Sequence, residues 1–96
     1  MRCALLSVRK IEFTGRYRRD FQRHIMDTHL EAEVEAVVAQ LAAGRALARH
    51  HRDHPLKGGW KGCRDCHVRG DLVLIYSLGL TVLKLHRVGT HSELFG

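Results

Sequence analysis

Two periodicities divide the chain near its middle. In the first half, Tyr17, Phe21 and Ile25 recur four residues apart, the single apolar stripe of a helix. Thr28 followed by Glu31 forms a capping-box pattern, in which each side chain satisfies a free backbone N–H at a helix start. Behind it, Leu30, Val34, Val37, Val38 and Leu41 mark a second amphipathic helix, with Gly44 as its stop. Ahead of both lies a short β-prone piece, Lys10 to Phe13, closed by Thr14-Gly15. The second half reads differently. Cys63 to Val68, Leu72 to Ser77 and Thr81 to Arg87 are β-prone runs, separated by the turn pairs Arg69-Gly70 and Leu78-Gly79. His54-Pro55 and Gly58-Gly59 punctuate the loop before them. A short strand, a helical hairpin and a β-meander predict an α+β domain with helices on one face of an antiparallel sheet. The tail from Gly89 ends on the apolar pair Leu94-Phe95.

Ninety-six residues fit one such domain and leave no room for a second core. The longest apolar stretches, such as Leu72 to Tyr76, fall far short of the roughly 18 residues that cross a bilayer. The run Cys3 to Val8 is too short for a signal h-region, so the chain reads as cytoplasmic, with no membrane partner. Three cysteines, an odd number, suit reduced thiols better than a disulfide framework. Sixteen Lys and Arg against ten Asp and Glu leave +6, which favours an anionic partner, nucleic acid or an acidic protein. The charge is unevenly placed. Residues 25–44 hold four acids and no Lys or Arg, so the remainder carries all 16 basic residues, six acids and an excess of +10. Only six aromatic residues are present, too few for a broad base-stacking platform.

Cys63-Arg64-Asp65-Cys66-His67 matches the C-x-x-C-H string of haem attachment. Two points speak against haem here. The chain shows no export signal, and in a β-prone run residues i and i+3 point to opposite sheet faces, which splits the thiols. A zinc knuckle would need four ligands, and there is no second C-x-x-C, although Arg49-His50-His51 is histidine-rich. The expectation is therefore no haem, no metal and two thiols that pack within the sheet.

Eight histidines in so short a chain invite another chemistry. His54 sits in the loop before the meander, His67 and Asp71 flank its first turn, and His91 lies in the tail. Arg64, Arg69 and Arg87 are interspersed with them. Tight turns can bring such positions together, and their joint chemistry is metal-free acid–base cleavage of a phosphodiester. One group takes the proton of a ribose 2′-OH, another protonates the leaving 5′-oxygen, and a cation steadies the developing charge. Histidine suits both proton roles because it titrates near working pH. A 2′-OH requirement restricts the substrate to RNA. Lys57 and Lys61, beside Gly58-Gly59, suit a phosphate backbone as well as they suit simple solubility, and Trp60 reads as a cap on the core beneath the loop.

The string Asp53-His54-Pro55-Leu56-Lys57-Gly58-Gly59-Trp60-Lys61-Gly62, continued by Arg64-Asp65-Cys66-His67, resembles the YafQ branch of the RelE-type mRNA interferase toxins. Asp71 with Leu74-Ile75-Tyr76 and the ending Arg87 to Phe95 fit the same pattern, over roughly Arg9 to Gly96. The resemblance implies a RelE-like α+β fold and a toxin that cleaves mRNA in the ribosomal A site, held inactive by a cognate antitoxin. It places the functional histidines on His54, His67 and His91, the acid on Asp71, a basic residue on Arg87 and the C-terminal aromatic on Phe95. It further implies Asp71 as proton acceptor and His91 as donor, with His54 and His67 orienting or stabilising charge. Ribosome, mRNA and antitoxin are then the partners, and no cofactor is required. The competing reading is a RelE-fold protein that pairs with an antitoxin without cutting. Two departures stand out: Gly70-Asp71-Leu72 occupies the place of the relatives' Pro-Asp-Trp, and Met1 to Ser7, with Cys3, precedes the usual family start.

Overall fold

Short polar side chains begin each helix of this protein. The computed structural model describes residues 8–96; the expected extension Met1 to Ser7, with Cys3, lies outside the described residues. The elements run β1 (Lys10–Phe13), α1 (Gly15–His24), α2 (Thr28–Ala42), β2 (His54–Pro55), β3 (Arg64–Arg69), β4 (Leu72–Leu78), β5 (Val82–Thr90) and α3 (His91–Phe95), with 3-10 turns at Arg49–His51 and Gly58–Trp60. Thr14 caps α1 by accepting the Tyr17 N–H at 3.0 Å, and its hydroxyl donates to the His86 carbonyl at 2.8 Å. One side chain thus starts the helix and ties it to β5.

The start of α2 differs from the expected capping box. Asp27 is the cap, accepting the His29 N–H at 2.7 Å, and Thr28 is already the first helical residue. A carboxylate one residue earlier reaches the second N–H of the helix and favours its positive end. At the other end, Gly44 takes φ +76°, and its N–H and that of Arg45 donate to the Leu41 and Gln40 carbonyls at 3.1 and 2.9 Å. This is the paired closure that a left-handed residue permits.

The sheet order is β1-β5-β4-β3-β2. It is mixed, not purely antiparallel, because β1 lies parallel to β5, from Lys10 opposite Val82 to Phe13 opposite Leu85. The intervening helices and strands supply the long crossover a parallel pair needs. His54-Pro55, expected in a loop, forms the edge strand β2 against Asp65 and Arg64. Proline is tolerated there because an edge strand can leave its missing N–H facing out.

The central strand β4 buries Val73, Leu74, Ile75 and Tyr76 completely. Such a continuous apolar run implies that both sheet faces are covered. Leu74 and Tyr76 join Tyr17, Val34, Val37 and Leu41 beneath α1 and α2. Val73 and Ile75 pack on the opposite face with Leu94, edged by Leu56, Trp60, Cys63 and Phe95. Helices therefore lie on both faces, since the tail folds as α3 on the second. Trp60 is seated in that second cluster, as read from the sequence. Cys66 belongs to the helix-side core and Cys63 to the other cluster, so the two thiols occupy different layers. Burial pushes the Cys66 thiol up to about 12, with Asp53 and Asp65 adding to it. A haem bonded to both cysteines would need them on one side and reactive. Among the described residues no three His, Cys, Asp or Glu are arranged to hold a metal ion, and no helix is long and apolar enough to cross a membrane.

Candidate active site

The second face of the sheet, away from α1 and α2, gathers the expected histidines. Strand alternation sends Asp65 and His67 of β3 to this face, opposite Ile75 and Val73. His54 comes from β2, Asp71 from the β3–β4 turn, and His91 and Phe95 from α3. The buried Val73, Ile75 and Leu94 form the floor.

Asp71 accepts the backbone N–H of His91 at 3.4 Å, which joins the turn to the start of α3. A capping box holds that start: Glu93 N–H donates to Thr90 Oγ1 at 3.3 Å, and Thr90 N–H donates to Glu93 Oε1 at 3.1 Å. His24 of α1 adds a contact to Glu93 Oε1 at 2.9 Å. Gly89 makes room for this meeting, since a Cβ there would come within 3.3 Å of Glu93 Oε1 and 3.6 Å of the His24 ring. The His91 ring lies against Phe95, centroids 4.9 Å apart, and Phe95 is half-buried on the apolar floor.

His54 directs Nδ1 at the Arg52 carbonyl, 2.7 Å away, with Asp65 Oδ1 at 3.2 Å. Two acceptors facing one nitrogen place the proton on Nδ1 and leave Nε2 free to take or give a proton. His67 makes the same choice more loosely, with Nδ1 3.4 Å from the Gly70 carbonyl. His51, in the preceding 3-10 turn, bonds the His67 carbonyl at 2.6 Å and pins the outer edge of β3.

Beneath the histidines lies Asp65, 3 % exposed. Among the described residues its Oδ1 has an ion-pair neighbour in His54 but no hydrogen bond, because that ring's N–H is spent on Arg52. Burial pushes this carboxyl above the usual range, and the charges of His54, His67 and His91 oppose the rise. His54 touches this buried acid, and His67 lies two residues along β3 on the same face. Sequence reasoning quoted Asp65 only as part of a motif. Its spacing of two from His67 on a strand was the signal that both share a face.

A second, partly buried network adjoins His54 in the chain. Its neighbour Asp53 accepts the Tyr76 hydroxyl and the Arg64 Nε–H, the latter at 3.1 Å. Tyr76 is fully buried, so Tyr76→Phe removes a donor without opening space. We expect a loss of about 1–2 kcal/mol, measured by denaturant unfolding.

Arg87 is placed otherwise than a free cation. A β-bulge pairs Ile75 with Arg87 but Tyr76 with Leu85, leaving His86 as the extra residue. The bulge breaks the alternation Leu83, Leu85 that would have sent Arg87 into the helix-side core. Asp20 of α1 takes the guanidinium in a two-pronged contact at 2.8 Å each and also accepts the Val88 N–H at 3.2 Å. Past Leu85, among the described residues, this edge of β5 has no strand partner, and Asp20 supplies the missing acceptor. Lys57 and Lys61 flank the Gly58–Trp60 turn, both exposed. Leu72 packs toward the helix-side core, not the histidine face.

The family model for the bacterial toxin of type II toxin–antitoxin systems, YafQ, matches residues 9–96. The chain belongs to the YafQ toxin family. It is 38% identical over 92 residues to the mRNA interferase toxin YafQ of Escherichia coli strain K12, covering 92% of this chain and 97% of that one. The crystal structure of YafQ from Escherichia coli BL21(DE3) superposes with a TM-score of 0.79 at 35% identity, over 92% of this chain and 99% of that one. YafQ in the Escherichia coli DinJ–YafQ toxin–antitoxin complex gives a TM-score of 0.77 at 38% identity, over 92% and 98%. The RelE-like α+β architecture expected from the sequence is thus the family's own fold.

Proposed function

We propose that this family member is an endoribonuclease that cuts mRNA in the ribosomal A site, restrained by a cognate antitoxin. The observation that carries the reading is one sheet face that holds His54 against buried Asp65, with His67 beside them on β3, and Asp71 fastened to His91 at the start of α3. The K12 relative is named an mRNA interferase toxin, and a relative is seen with its DinJ antitoxin. In this mechanism the ribose 2′-oxygen attacks the neighbouring phosphorus and its proton passes to Asp71. The 5′-oxygen leaves with a proton from His91, producing a 2′,3′-cyclic phosphate and a 5′-hydroxyl. His54 and His67, each with Nδ1 held by a carbonyl, present Nε2 to the charge that develops on phosphorus. Lys57, Lys61 and Phe95 contact the RNA, while Arg87, held by Asp20, supports the strand that leads to His91. Arg87 thus acts by position more than by direct contact.

The test is induction of the protein in growing bacteria with mapping of mRNA 5′ ends. In-frame cuts bearing 5′-hydroxyl groups are expected. Cuts without regard to frame would overturn ribosome dependence, and absence of new ends would leave an antitoxin-binding protein that does not cut.

Asp65 yields a separate prediction. Its folded pKa lies above the unfolded value, so its stabilising contribution is full below about pH 4 and is lost as pH rises through the folded value. Above that value the buried charge is a cost. Asp65→Asn keeps the shape and removes the titrating carboxyl, so its melting temperature gains on that of wild type from acid to neutral pH. Cleavage falls by about 100-fold as His54 loses its alignment. Melts at the two pH values and single-turnover cleavage rates check both halves.

A further inference from the structure

Helix α1 carries more positive charge than the catalytic reading uses. Arg16, Arg19 and Arg23 lie along one flank, where with Arg87 and Asp20 they line a polar cavity of about 190 Å³. The three are exposed, and among the described residues none has an acidic partner within 4.0 Å. The cavity's one acid is already committed, since Asp20 gives both oxygens to Arg87 and one of them also to the Val88 N–H. It neutralises Arg87 and leaves the other three guanidinium forks open, the geometry that matches phosphate oxygens. The stripe spans about 10 Å at helical rise. Its end adjoins α3 through the His24–Glu93 contact. A strand leaving His91 and Phe95 meets Arg23 first, then Arg19 and Arg16.

The opposite flank of the same helix has another character. Tyr17, Arg18 and Phe21 border an apolar cavity of about 420 Å³ with Ile11, Phe13 and Val38, and the Arg18 guanidinium lies 4.8 Å above the Phe13 ring. A surface of that kind suits an apolar protein segment. The arginine stripe offers no comparable apolar area, so its partner is charged along its length.

We propose that Arg16, Arg19 and Arg23 form a phosphate track that holds the RNA sugar–phosphate backbone beyond the bond being cut. The proposal rests on RNA as the substrate, though its test does not need cleavage. Binding of a short single-stranded RNA, 2′-O-methylated at every ribose, is measured against salt concentration for three variants. Arg19→Gln and Arg18→Gln remove the same charge from adjacent positions on opposite flanks, and melting temperatures confirm that both fold. Arg19→Gln is expected to weaken binding several-fold and to lower the salt slope by about 0.7, and the triple Arg16, Arg19, Arg23→Gln variant by about 2. Arg18→Gln retains wild-type affinity. Equal losses for Arg18 and Arg19 would reduce the track to net charge and overturn it. So would polyglutamate competing for the protein as well as RNA of equal charge, which would assign the stripe to an acidic protein. Binding with the expected slopes but no cut mRNA in cells would sink the cleavage reading alone; in-frame cutting with Arg19→Gln behaving like Arg18→Gln would sink the track alone.

Discussion

On the proposed mechanism, His91→Ala is expected to lower RNA cleavage by about a hundred- to ten-thousand-fold, the worth of a positioned general acid, and to leave the fold intact. His91 is exposed, and the contacts that build α3 do not involve its ring. Asp71 receives the backbone N–H, which alanine retains. The capping box belongs to Thr90 and Glu93, and the anchor into the floor is Leu94. The ring's contact with Phe95 is lost, and with it a charge that opposes the rise of the Asp65 carboxyl. Stability should therefore change by less than about 0.5 kcal/mol. The measurement pairs a thermal melt with single-turnover cleavage on programmed ribosomes. Retained cleavage would remove His91 from the donor role and pass it to His54 or His67, whose Nε2 atoms are also free.

The largest loss of stability is expected at a residue outside the proposed catalytic group. Asp20→Ala removes the partner of Arg87 and of the Val88 N–H, both within the protein's packed edge. Leaving a partly buried guanidinium and a buried N–H unpaired costs about 3–5 kcal/mol. Against a total of roughly 5–15 kcal/mol for a domain, that lowers the melting temperature by more than about 10 °C. The pair also sets an acid limit. Burial by itself would raise the Asp20 carboxyl, but the Arg87 and Val88 hydrogen bonds, with the charges of Arg87 and His24, hold it below the usual range. A depressed carboxylate stabilises the fold above its unfolded pKa, near 3.9, and the contribution disappears as pH falls through the folded value. Wild type should lose stability steeply below about pH 4, and Asp20→Ala should show a shallower decline. Melting temperatures that differ by the same amount at neutral and strongly acid pH would contradict this account.

Much of the fold was legible because periodic burial leaves a periodic trace. The stripe at Tyr17 and Phe21, the run Val34 to Leu41 and the all-apolar Leu72 to Tyr76 named their own elements, and the structure gives them those roles. His54-Pro55 was hidden because two residues carry no period, and a proline argues for a loop unless a neighbour makes it an edge. The tail helix was not expected from the sequence, although Thr90 and Glu93 stand at the spacing of a capping box. Its placement on the second face depended on Val73 and Ile75 being uncovered there. Asp20 sat three residues after Tyr17 on a core-facing stripe, an acid that demands a partner, yet nothing local named Arg87, 67 residues away.

The types of residue in the candidate site, three histidines and an aspartate in short β-prone surroundings, were determined by the chain alone, and so was the class of chemistry they support. Their convergence was decided by tertiary structure. Strand pairing sets His54 beside Asp65, a hairpin turn brings Asp71 to α3, and a single extra residue at His86 turns Arg87 from the core toward Asp20. Local sequence dictates which face a side chain prefers, because that is a matter of period and burial. Which distant group it meets depends on register and on bulges, and those are settled only when the whole sheet closes over its two cores.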